Sequence, residues 1–178
     1  MNIKQELLKQ HSRKQAERIA RYAAKGKKEF GELMDLFLSN NTVLAQRAAW
    51  SISICGRANP GLALPHLPKM IKNLEKPGIH DAVKRNTVRL LEVVWLPKKH
   101  HGLVADACFK LFLNKKEAIA IRVFALTVLQ NLALIYPEFA NELVPLIEEE
   151  MTQNPKPAFV SRGKKALKIL QKHKGISG

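Results

Sequence analysis

The chain has 178 residues and a formal charge of +15, from 30 Lys and Arg against 15 Asp and Glu. Hydrophobic residues make up 46% and charged residues 25%, which excludes wholesale disorder, and nine glycines with nine prolines exclude a linker or a collagen-like chain. The length suits one domain with a proper core, and the basic excess points to an anionic partner without saying anything about fold.

In chain order, residues 1–28 read as one amphipathic capping helix, with nine bases and three acids over residues 1–30. Its opening, Met1-Asn2-Ile3-Lys4-Gln5-Glu6, lacks the apolar core of a secretory signal, so none is expected. Breakers then recur: Ser39-Asn40-Asn41, Asn59-Pro60-Gly61, Lys76-Pro77-Gly78, Pro97, Asn114, Pro137 and Asn154-Pro155. Between them the apolar residues keep helical spacing, and no segment sustains alternation. The shorter helices are expected at 30–38, 62–74, 103–113 and 138–151. Each is followed by a helix that opens near an arginine: Arg47, Arg85, Arg122 and Arg162, spaced by 38, 37 and 40 residues. Apolar or small residues stand at fixed offsets from each arginine, such as Leu44, Ala82, Ile119 and Phe159 three positions before it. A fixed period of this size marks a helical solenoid, because one repeat cannot bury its apolar face alone.

The charge is segregated. From Leu36 to Leu74 there is no acid at all; residues 136–154 hold five acids and no base, and residues 155–178 hold seven bases and no acid. No apolar run approaches the roughly 18 residues that span a bilayer. Cys55 and Cys108 sit in apolar helical patterns, as buried reduced thiols would. A cytoplasmic monomer without cofactor or membrane contact is expected.

The repeated unit resembles the HEAT repeat. Leu67-Pro68 and Val144-Pro145 match the Leu-Pro stretch of that family's first helix. Gln46-Arg47-Ala48-Ala49, Val83-Lys84-Arg85 and Ile121-Arg122 match the Val-Arg-x-Ala-Ala stretch of its second. The resemblance implies an all-α, right-handed α-α superhelix of about nine helices. Its four repeats would lie at about 30–58, 60–96, 99–135 and 137–173, with a flexible tail at 174–178. The chain is also similar to short bacterial HEAT-like proteins, some of which carry the label adenylosuccinate lyase. The Ser-rich signature loop of that lyase, with its Met, Lys and Asn, is absent, so no lyase activity is expected.

The arginine column has two readings. Each guanidinium can bond a carboxylate or carbonyl of a neighbouring helix, forming a structural ladder, or the four can line an anion-binding row. Lys84, Arg89, Lys164, Lys165, Lys168 and Lys172 form a candidate basic surface on the concave face, either a solvated face or a phosphate-contacting stripe. Lys164, Lys168 and Lys172 recur at four-residue steps and share a helix face. Trp50 reads as core, whereas Trp95, beside Lys98 and Lys99, is the exposed aromatic candidate. HEAT-like glycosylases of alkylated DNA pair a Trp with an Asp; here Trp50 is followed four residues on by Ile54 and Trp95 by Lys99. The six histidines show no metal-ligand spacing, and Glu148-Glu149-Glu150 reads as a charged helix end. The expected function is therefore non-enzymatic binding or scaffolding on the concave face. The expected partner is an acidic protein surface; the alternative is nucleic acid held through its phosphates.

Overall fold

The computed structural model describes residues 1–174, and among these every regular element is helical. Of the tail expected over 174–178, Lys174 ends the last helix and the rest lies outside the described residues. The helices fall into two compact units, Met1–His100 and a second beginning at His101.

In the first unit the expected single helix over 1–28 is instead two, α1 (Ile3–Lys9) and α2 (Arg13–Ala23). Gln10 is extended, and Ser12 caps α2 by accepting from the Gln15 backbone N–H at 3.3 Å. A serine with a glutamine three residues on is a helix-start signal, and here it outweighs continuation of the amphipathic pattern. Buried Glu6 joins the two helices, accepting from Gln15 and Arg18 as well as Lys9. Those hydrogen bonds, the one from Lys9 first, hold its carboxyl below the ordinary range against the opposing effect of burial.

The next helices are α3 (Lys27–Phe37) and α4 (Thr42–Ala58), the latter capped by the Asn41 side chain on the Leu44 N–H at 3.0 Å. The single helix expected over 62–74 is broken into α5 (Pro60–Ala63), a 3-10 turn (Leu64–His66) and α6 (Leu67–Asn73). Pro65 and Pro68 each lack an N–H and clash with the preceding turn, which favours short pieces. A tight turn at Gly78, whose φ of +72° suits glycine, leads to α7 (Asp81–Leu91).

Helix α4 is the hub of this unit, packing against α1, α2, α3, α5 and α7. Its buried face is built from small residues, Ala45, Ala48, Ala49, Ser51, Ser53 and Gly56, around Leu44 and Ile52. At Gly56 a Cβ would stand 3.0 Å from a Leu90 methyl, so the glycine sets how closely α4 and α7 approach. Beyond α7 the chain runs through Trp95, 74% exposed, to a 3-10 turn at Lys98–His100.

The second unit contains α8 (His101–Leu113), α9 (Ile119–Ala133), α10 (Pro137–Gln153) and α11 (Pro157–Lys174). Helix α9 packs on α8, α10 and α11, and α10 packs on α11. Pro137 opens α10, where its missing N–H is harmless, while Pro145 stands inside the helix and cannot donate to the Asn141 carbonyl. One guanidinium touches all three neighbours of α9. Arg122, 5% exposed, donates from Nε to the Phe112 carbonyl of α8 at 2.8 Å and from Nη1 to Glu150 Oε1 of α10 at 2.8 Å. Its guanidinium also lies over the Phe159 ring of α11, 5.5 Å from the centroid. Phe159 in turn stacks on Phe112, with centroids 5.9 Å apart. Burial pushes the Glu150 carboxyl up, but the hydrogen bond and charge of Arg122 outweigh it, and the group ends below the ordinary carboxylate range.

Among the described residues no helix is long and apolar enough to cross a membrane. Both cysteines are buried free thiols; burial pushes Cys55 up to about 11 and Cys108 up to about 12.

Arg122→Leu is expected to destabilise the fold by about 3–5 kcal/mol near neutral pH, since it strands a buried carboxylate. Glu150 has a depressed folded pKa, so its contribution is present above the unfolded value of 4.5 and lost as pH falls through the lower folded value. Chemical denaturation of the two proteins between about pH 7 and 3 should therefore show the difference shrinking on acidification; a constant difference would contradict the pairing. The thiols carry a second expectation. At about pH 8 an aromatic disulfide should label the native chain far more slowly than the urea-unfolded chain, because the thiolate is the reacting form. Stoichiometric labelling of the native chain at the unfolded rate would contradict the burial.

Candidate binding groove

Helices α2, α4 and α7 leave a groove between them on the first unit. Gln46, Trp50, Ser53 and Arg57 recur on α4 at steps of four, three and four residues, which puts them on one stripe. Arg85 and Arg89 lie one turn apart on α7, and Arg13 and Glu17 one turn apart on α2. Two adjoining hollows of about 350 and 620 Å³ share Trp50 and Arg89 as wall. The smaller is bordered also by His11, Gln46, Asp81 and Arg85, the larger by Arg13, Glu17, Arg57 and Val93. Trp50 is half-buried, not enclosed in the core as its apolar neighbours suggested, and the His11 ring stands 6.2 Å from its own at 57°. The cause is the neighbouring helices: Gln46, Trp50 and Arg57 lie where α2 and α7 leave α4 open, while Ser53 between them is buried.

The groove is basic but mixed. Four arginines (Arg13, Arg57, Arg85, Arg89) face two carboxylates, Glu17 and Asp81. Arg13 is tied to Glu17 at 2.8 Å, an exposed pair that contributes little to stability. Arg57 and Arg85 are exposed and make no hydrogen bond or ion pair among the described residues.

The four arginines of the repeat register are placed differently. Arg47 donates to the Leu7 and Leu8 carbonyls at 3.0 and 2.9 Å, satisfying the C-terminal end of α1. Arg122 is buried as described, and Arg162 donates to the Thr127 hydroxyl of α9. Arg85 instead borders the groove.

Of the candidate basic surface, Arg89 lines the groove, whereas Lys84, half-buried on the same helix, borders neither hollow. Trp95 also borders neither. Lys164, Lys165, Lys168 and Lys172 belong to the second unit, exposed on the side of α11 opposite its buried Phe159, Ala166 and Leu170. The sequence reading missed Trp50, Arg13, Arg57 and His11 as groove residues. The stripe of Gln46, Trp50, Ser53 and Arg57 was visible as a helical spacing, but nothing in the sequence says which face of α4 its neighbours leave open.

The comparison with curated proteins gives no match. The HEAT repeat domain family matches residues 3–170, nearly the whole chain, in keeping with helix pairs whose second members carry the recurring arginine. The chain belongs to the HEAT repeat family.

Proposed function

We propose that this chain is a non-enzymatic binding or scaffold protein whose α2–α4–α7 groove receives an acidic segment of another protein, in the cytoplasm. HEAT repeats generally mediate protein–protein interaction or scaffolding. The observation that carries the reading is the pair of unengaged arginines, Arg57 and Arg85, flanking a half-exposed Trp50. Tryptophan and arginine dominate binding energy at protein interfaces, since each offers a large contact area together with directional polar groups. Glu17 and Asp81 on the same walls favour a protein partner, whose charge can be mixed, over a uniformly anionic backbone.

Nucleic acid is the second reading. The half-buried Trp50 indole beside Arg85 and Arg89 could stack a base while the guanidiniums take phosphates. The lysines of α11 would add phosphate contacts independently of the groove.

A fluorescent glutamate-rich peptide and a random DNA duplex, each titrated at low and at physiological salt, test both. The peptide is expected to bind, and Arg57→Glu with Arg85→Glu should weaken it by at least about tenfold, roughly 1.4 kcal/mol. Charge reversal at Lys168 should leave peptide binding unchanged. Peptide affinity indifferent to Arg57 and Arg85 would remove the groove from the interaction. Duplex binding that falls steeply with salt would support the second reading, and its absence even at low salt would eliminate it.

A further inference from the structure

Helices α4 and α7 meet again at their N-terminal ends, where the turns 38–41 and 74–80 lead into them. A hollow of about 230 Å³ lies there. Its apolar walls include Phe37, Ala45 and Val83, and its polar lining includes Ser39, Thr42, Asn73, Lys76 and His80. No carboxylate of the described residues lines it, in contrast to the neighbouring groove.

Four features of the hollow favour negative charge. Asn73, at the end of α6, is only 7% exposed, borders the hollow, and its amide makes no side-chain hydrogen bond among the described residues. The amide is open to the hollow, where an incoming acceptor would take the place of water. Thr42 is the first residue of α4, a helix of 17 residues; the Asn41 cap takes the Leu44 N–H and leaves those of Thr42 and Val43 outside the helical ladder. His80 caps α7 by accepting the Ala82 N–H on Nδ1 at 3.0 Å, so the ring proton sits on Nε2, which is a donor. Lys76 brings a full positive charge and has no ion pair among the described residues.

We infer that the hollow between the turns into α4 and α7 binds a small oxyanion of phosphate size, held by Asn73, Lys76, His80 and the first turn of α4. Donors from four separate chain positions suit an anion with several oxygens. The apolar wall leaves room for a short carbon body, so the anion is either free phosphate or the head of a small phosphomonoester. The hollow is independent of the acidic partner proposed for the groove, with which it shares only His80.

The test is an amide NMR titration of the full chain with inorganic phosphate at constant ionic strength, to about 20 mM, enough to reveal a Kd of about 1 mM. Saturable shifts are expected at Thr42, Val43, His80 and the Asn73 side-chain amide. Lys76→Gln, an exposed substitution that should leave the fold intact, is expected to weaken binding by about tenfold. Asn73→Leu should weaken it as well, whereas Arg85→Ala should not. Repeating the titration with glycerol 3-phosphate separates the two sources: tighter binding than phosphate assigns a monoester, and equal or weaker binding assigns the free ion. Absence of saturable shifts, shifts unchanged in Lys76→Gln, or shifts confined to amides around Arg57 and Arg89 would each overturn the inference.

Discussion

The guanidinium of Arg122 holds the second unit together. It satisfies a C-terminal carbonyl of α8, pairs with Glu150 of α10 and covers the Phe159 ring of α11, all from one position on α9. A charge this deeply buried is tolerated only when its hydrogen bonds are met and its partner is also fixed. The arrangement therefore ties four helices to a single geometry as well as adding contact. Apolar packing alone, here the stacked Phe112 and Phe159, is less directional and would accept small rotations of the helices.

The same chemistry recurs with different partners. Arg47 serves the open carbonyl end of α1, and Arg162 reaches a hydroxyl on the preceding second helix. At Arg85 the equivalent arginine borders open space. The repeat thus supplies a cation at each second helix, and the local surroundings decide whether it is consumed by the fold or left available. Where it is left available, the small residues of α4 have brought α2, α4 and α7 close enough to form walls, and Trp50 lies between them. The groove follows from close helix packing combined with one unfilled position of the register.

Much of this was legible in the sequence, and the failures have identifiable causes. Each recurring arginine lies in the first two turns of a helix, α4, α7, α9 or α11, because helical periodicity is imposed locally. The break between α1 and α2 was written in Ser12 and Gln15, but the longer amphipathic pattern masked it. The fragmentation of the helix before α7 followed from Pro65 and Pro68, only one of which belonged to the recognised Leu-Pro stretch. Trp50 was misplaced for a different reason: its sequence neighbours are apolar, yet its exposure depends on what α2 and α7 leave uncovered.

By itself the sequence determined that this is an all-helical repeat chain, that an arginine recurs in it every 37 to 40 residues, and that its charge is basic and unevenly distributed. These are properties of spacing and composition, which the chain carries whatever its tertiary contacts. Only the tertiary structure decided which arginines are bonded within the fold and which are exposed. It alone brought Trp50 together with Arg57, Arg85 and Arg89, and set the Asn73 side chain on the wall of a hollow. Burial and pairing depend on residues far apart in the chain, and no local pattern records which of them will meet.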